Sequence, residues 1–68
     1  MKQEPVPVAR AVFDGIEAVR RGGTVNMLDR PRVAEIAELM GFAESAAWVR
    51  ANRELYARLI FHGVEVQP

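Results

Sequence analysis

Few side chains in this 68-residue chain have the type and setting for chemistry. His62 is the single histidine and a candidate for proton transfer. No Cys, Ser or carboxylate motif surrounds it, and at a helix end an imidazolium complements the free carbonyls; His62 therefore reads as a cap. Asp29 is a candidate metal or catalytic carboxylate. A lone carboxylate beside Arg30 and Arg32 is more simply a helix N-cap with ion pairs nearby. Asn26 and Asp29 together are expected to fix a turn. Nothing in the chain reads as a nucleophile–base pair, and with no cysteine there is no thiolate site or disulfide. The expectation is a non-enzymatic protein without a metal or cofactor.

The arginines are the remaining chemical signal. Arg20, Arg21, Arg30 and Arg32 flank one loop, where they can converge on a phosphate or an acidic partner. The alternative is a solvated surface neutralised by Glu35 and Glu38. Arg50, Arg53 and Arg58 fall on the polar side of the last helical segment, partly answered by Glu54. Trp48 and Tyr56, eight residues apart, lie near one helical face. They are either core or, exposed, an interface anchor of the kind in which Trp, Tyr and Arg are enriched. The expected partner-binding residues are Arg20, Arg21, Arg30, Arg32, Arg50 and Arg53.

Composition sets the frame for these residues. So short a chain holds one small domain whose core is too small for high stability alone. Half the residues are apolar, so some apolar surface is expected at an interface, and a homodimer is one way to cover it. Lys plus Arg equals Asp plus Glu at 9 each; a dedicated nucleic-acid binder usually has a basic excess. No apolar run is long enough to span a membrane, and Met1-Lys2-Gln3-Glu4-Pro5 lacks the apolar core of a signal peptide. A cytoplasmic protein is expected.

The elements follow from periodicity. Residues 1–7, with Pro5 and Pro7, read as an extended arm. From Val8 a helical period runs through Ala9, Val12, Phe13, Ile16 and Val19 or Arg20 to a stop at Gly22-Gly23. Thr24 to Met27 is short and β-prone. Asp29 begins the second helix, with Leu28 and Val33 at hydrophobic-staple spacing. Val33, Ile36, Ala37 and Met40 form one face, and Gly41 ends the helix. A third segment runs from about Glu44 to His62 and closes at Gly63; Asn52 marks a kink or a division into two helices. The tail, residues 64–68, alternates in Val64-Glu65-Val66 like a strand and is a pairing candidate for Thr24 to Met27. The fold expected is all-α: a domain over 8–63 of three helices, or four if Asn52 divides the last, with at most a minor two-strand ribbon. Val12, Phe13, Ile16, Val33, Ile36, Ala37, Met40, Leu55, Leu59 and Ile60 should form the core.

Gly23-x-x-Asn26-Met27-Leu28-Asp29, then Val33-x-x-Ile36-Ala37-x-x-Met40-Gly41-Phe42, then Asn52-Arg53-x-x-Tyr56-x-x-x-Ile60-x-x-Gly63, resemble a family of small proteins typically encoded by bacteriophages and prophages and known only as a domain of unknown function. The resemblance covers roughly Val12 to Gly63. Gly23, Asn26, Asp29, Gly41 and Gly63 are its structural positions. It implies a small helical phage protein and supplies no catalytic residues. Val33 to Phe42 also looks like the first helix and turn of a helix-turn-helix, with Ala37 packing and Gly41 turning; Ala43 to Arg53 would be the recognition helix. Arg50 falls where that motif wants an apolar residue. The leading expectation is a protein that binds and modulates a host protein or nucleoprotein machine, most concretely an anti-CRISPR or other anti-defence inhibitor. A DNA-binding or transcriptional accessory protein is the alternative.

Overall fold

The computed structural model describes residues 4–68, which form two short strands and four helices. In chain order these are β1 (Val6–Ala9), α1 (Arg10–Gly22), α2 (Arg30–Leu39), α3 (Ala43–Ala51), α4 (Arg53–His62) and β2 (Val64–Gln67). The protein is mostly helical, and its only sheet among the described residues is the parallel pair β1–β2.

Residues 1–3 of the expected arm lie outside the described residues; from Val6 the arm is a packed strand. Val6 and Val8 are buried beside Val12, Ile16 and Val19 of α1, while Pro7 and Ala9 face out. Val8 and Ala9 therefore belong to β1, and α1 starts at Arg10. The tail forms its ribbon with this strand and not with Thr24 to Met27, which run through bends and turns. Asn26 explains the difference. Its Oδ1 accepts from Leu28 N–H at 2.9 Å, and its carbonyl accepts from Asp29 N–H at 2.9 Å. This Asx-type turn curls the loop away from an extended ladder. Val25 and Met27 remain half-buried against the core.

Local signals end the helices where the sequence suggests. Gly23 at φ +68° closes α1, its N–H donating to Arg20 O. Asp29 caps α2, with Oδ1 accepting from Arg32 N–H at 3.4 Å. Beyond α2, Gly41 at φ +92° donates to Glu38 O, and Phe42 N–H donates to Ala37 O. Together these bonds form the Schellman pattern. At Asn52 the long segment divides. Asn52 N–H and Nδ2 both donate to Trp48 O, at 3.0 and 2.9 Å, ending α3. Its own carbonyl accepts from Tyr56 N–H and opens α4.

The core centres on a tight crossing of α1, α2 and α3. Of the expected core residues, Val12, Ile16, Val33, Ala37 and Leu59 are buried, and Phe13, Ile36, Leu55 and Ile60 pack half-buried at its edge. Met40 is not core: it is 48% exposed. The helix buries its Val33–Ala34–Ala37 side, because small side chains let α2 approach α3 closely, and this rotates Met40 outward. Ala46, Val49 and Tyr56 complete the interior. Gly15 and Ser45 mark the α1–α3 contact. A Cβ on Gly15 would lie 2.0 Å from Ser45 Oγ and 2.4 Å from Ser45 Cβ. The Ser45 hydroxyl lies against the Ala11 and Val12 carbonyls, at 3.0 and 2.8 Å. A fully buried hydroxyl is thereby satisfied.

Candidate partner-binding groove

The six arginines expected to bind a partner divide by their surroundings. Arg20 and Arg21, in the last turn of α1, both reach the Glu17 carboxylate; Arg20 Nε lies 3.0 Å from Oε2 and Arg21 Nε 3.2 Å from Oε1. The hydrogen bond from Arg20 holds the Glu17 carboxyl below the usual carboxylate range. Arg32 pairs with Glu35 one turn on, and Arg50 of α3 pairs with Glu38 of α2. These four arginines are exposed and in ion pairs, Arg20 and Arg21 sharing one carboxylate and Arg32 and Arg50 having one each.

Arg30 and Arg53 are different. Arg30 stands in the first turn of α2, an unfavourable place for a cation beside free N–H groups. Its Nη1 instead reaches the carbonyls of Val49 and Arg50 in the last turn of α3, each at 3.4 Å. There the orphan carbonyls of a helix end favour positive charge. The contact also fixes the guanidinium in place. Arg53 opens α4 and makes no ion pair among the described residues.

Arg30 and Arg53 line one groove of about 240 Å³, together with Leu28, Tyr56, Ile60 and Phe61. Its lining contains two guanidinium groups and no carboxylate. Two of its apolar side chains are among the most exposed in the chain, Leu28 at 60% and Phe61 at 68%. Leu28 forms the rim of this groove and is mostly exposed, unlike the buried Val33 to which staple spacing would couple it. Tyr56 forms the floor. Its ring is buried and its hydroxyl donates to Met27 O at 2.6 Å, tying α4 to the loop. Burial pushes the phenol up to about 12. Trp48 is half-buried against the core and takes no part in the groove.

The groove offers fixed cationic donors beside exposed apolar surface. Guanidinium groups accept no proton and offer planar donor forks for carboxylates or phosphates. Exposed aliphatic and aromatic groups beside them suit an apolar side chain on the same ligand. His62, the last residue of α4, lies exposed beside a second, shallower depression with Glu54, Arg58 and Phe61. No group of three or more His, Cys, Asp or Glu able to hold a metal occurs among the described residues.

A family model described as a domain of unknown function, DUF5049, matches residues 9–64. The chain belongs to the DUF5049 family. No curated protein and no solved structure matches it. The DUF5049 span contains the Asn26–Asp29 turn and every residue of the Arg30–Arg53 groove, but only the ends of the β1–β2 ribbon. The sequence singles out Arg30, Arg53 and Tyr56 among these residues, but not Leu28 and Phe61 as groove residues. Phe61 was the available signal. It falls outside the periodic positions Leu55, Tyr56, Leu59 and Ile60, so the helix cannot turn it toward the same core.

Proposed function

We propose that this DUF5049 protein is a non-enzymatic binding module, encoded by a phage or other mobile element and acting in the cytoplasm of a bacterial host. It modulates a host protein or nucleoprotein machine, most concretely as an anti-CRISPR or other anti-defence inhibitor. The observation that carries the binding role is the exposed Leu28–Phe61 groove beside Arg30 and Arg53, with no carboxylate in its lining. Exposed apolar groups flanked by cations favour contact with an acidic, partly apolar surface. The phage setting rests on the resemblance of the Gly23–Asp29 and Val33–Phe42 motifs to phage-encoded proteins. The inhibitor role adds to this the small size of the chain.

A DNA-reading role draws less support. The exposed positions of α3, the would-be recognition helix, are Ala43, Glu44, Ala47, Arg50 and Ala51, and Arg50 is paired with Glu38. Such a surface offers little to base edges.

Affinity capture from host lysate tests the binding role when parent, Arg53→Glu and Phe61→Ala are compared side by side by quantitative mass spectrometry. A host protein enriched by the parent and depleted with both variants is the expected result. Identical captured proteins from all three would place the interface elsewhere or remove it.

A further inference from the structure

One backbone bond orients the whole β1–β2 ribbon. Val6 N–H donates to Gly63 O at 3.1 Å, and the strands run parallel with Val6 opposite Val64 and Val8 opposite Val66. In a parallel ladder the bonding residues of a strand alternate. Val6 and Val8 therefore direct their main-chain groups at β2, while Pro5, Pro7 and Ala9 direct theirs outward. On β2, Glu65 and Gln67 bond to β1, which leaves Val64 and Val66 with N–H and C=O groups on the outer edge. Among the described residues no further main-chain bond engages Val64 or Val66 there.

The two edges are not equivalent. Pro5 and Pro7 strip donors from the outer edge of β1, one of the ways natural sheets block further pairing. The outer edge of β2 has both donors and acceptors and no proline between Val64 and Gln67. Val64 and Val66 are only half-buried, and the packing of Val6 and Val8 on α1 holds the ribbon firmly enough to serve as a template for a further strand.

We propose that the free edge of β2 pairs antiparallel with β2 of a second copy of this chain, giving a continuous sheet β1–β2–β2–β1. The side chains set the register. A two-fold axis at Glu65 would put the two Glu65 carboxylates opposite one another, which is destabilising. With the axis at Val66, each Val66 exchanges N–H···O bonds in both directions with Val66 of the second copy, and Val64 N–H reaches the Pro68 carbonyl. Glu65 then faces Gln67 of the other copy. These two side chains are already complementary, since Gln67 Nε2 donates to Glu65 Oε2 at 3.1 Å within one chain. A zero net charge adds no long-range repulsion between copies.

The test uses the whole chain. Light scattering at a concentration of about 200 µM, in the range where weak contacts are populated, should give twice the 7.6 kDa chain mass. Amide hydrogen exchange at Val66 should slow as the protein is concentrated, because that N–H is free in the single copy. Val66→Pro removes the edge donor while leaving the ladder to β1, and should restore the single-chain mass with helical circular dichroism intact. If that variant fails to fold, the concentration dependence of Val66 exchange in the parent decides alone. A parent of single-chain mass at that concentration would overturn the proposal. So would a dimer whose Val66 amide exchanges freely, since another face, such as the Leu28–Phe61 groove, would then hold it.

Discussion

Gly15 is where one atom matters most. Alanine favours a helix interior over glycine by about 1 kcal/mol, so propensity alone makes Gly15→Ala stabilising. The added Cβ would instead sit 2.4 Å from Ser45 Cβ and 2.8 Å from Phe42 Cβ, neither of them the end of a flexible chain. Overpacking of this kind costs about 1–3 kcal/mol or more and outweighs the propensity. A net loss of about 1–2 kcal/mol from Gly15→Ala should lower the melting temperature by roughly 4–16 °C for a domain of this size, measured by circular dichroism, and Ser45→Gly in the same chain should recover part of the loss. A rise in melting temperature would show that α1 and α3 do not cross this closely. Asp29 carries a smaller effect. As the cap of α2, Asp29→Ala should cost about 0.5–2 kcal/mol and Asp29→Asn much less, because Asn accepts the same bond. Equal losses in denaturant melts would reject the cap.

At the scale of elements, Tyr56 joins α4 to the Asn26–Asp29 turn. Its phenol titrates near 10 when exposed and at about 12 in the folded chain. A raised folded value means that the neutral form is favoured by folding. The contribution is complete below pH 10 and is lost as pH rises from 10 to 12; it amounts to at most about 3 kcal/mol. Tyr56→Phe should flatten this alkaline loss, as followed by urea melts at several pH values, and should cost about 1 kcal/mol at neutral pH. Helix ends were legible in the sequence because each rests on a local rule: Gly41 on the left-handed turn, Asp29 on capping, and Asn52 on competition for the Trp48 carbonyl. The β1 strand was not. Its prolines suggest an extended arm without a partner, whereas Val6-Pro7-Val8-Ala9 alternates with both valines inward, and proline is tolerated at a sheet edge. The pairing of β1 with β2 joins opposite ends of the chain, and no local pattern encodes such a contact. Met40 was misplaced because helical spacing fixes which residues share a face, but not how far the helix rolls when Ala34 and Ala37 can be buried instead.

For the whole molecule, balanced charge hides a local imbalance. Of the six candidate arginines, Arg20 and Arg21 share Glu17, and Arg32 and Arg50 have one glutamate each; Arg30 and Arg53, with no carboxylate partner among the described residues, lie beside Leu28 and Phe61 as a cationic, apolar face. Six arginines were visible in the sequence as candidates; which carboxylates answer them depended on side-chain reach and on the α2–α3 contact. Arg53→Glu is a cleaner probe than a change at Arg30, whose guanidinium also serves the carbonyl end of α3. Exposed charges contribute little to folding, so Arg53→Glu should melt like the parent. The most direct measurement is the dissociation constant of the captured partner for parent and Arg53→Glu at one ionic strength. A weakening of 10-fold or more, about 1.4 kcal/mol, with unchanged melting is the expected result; equal affinities would contradict a partner surface at the Arg30–Arg53 groove.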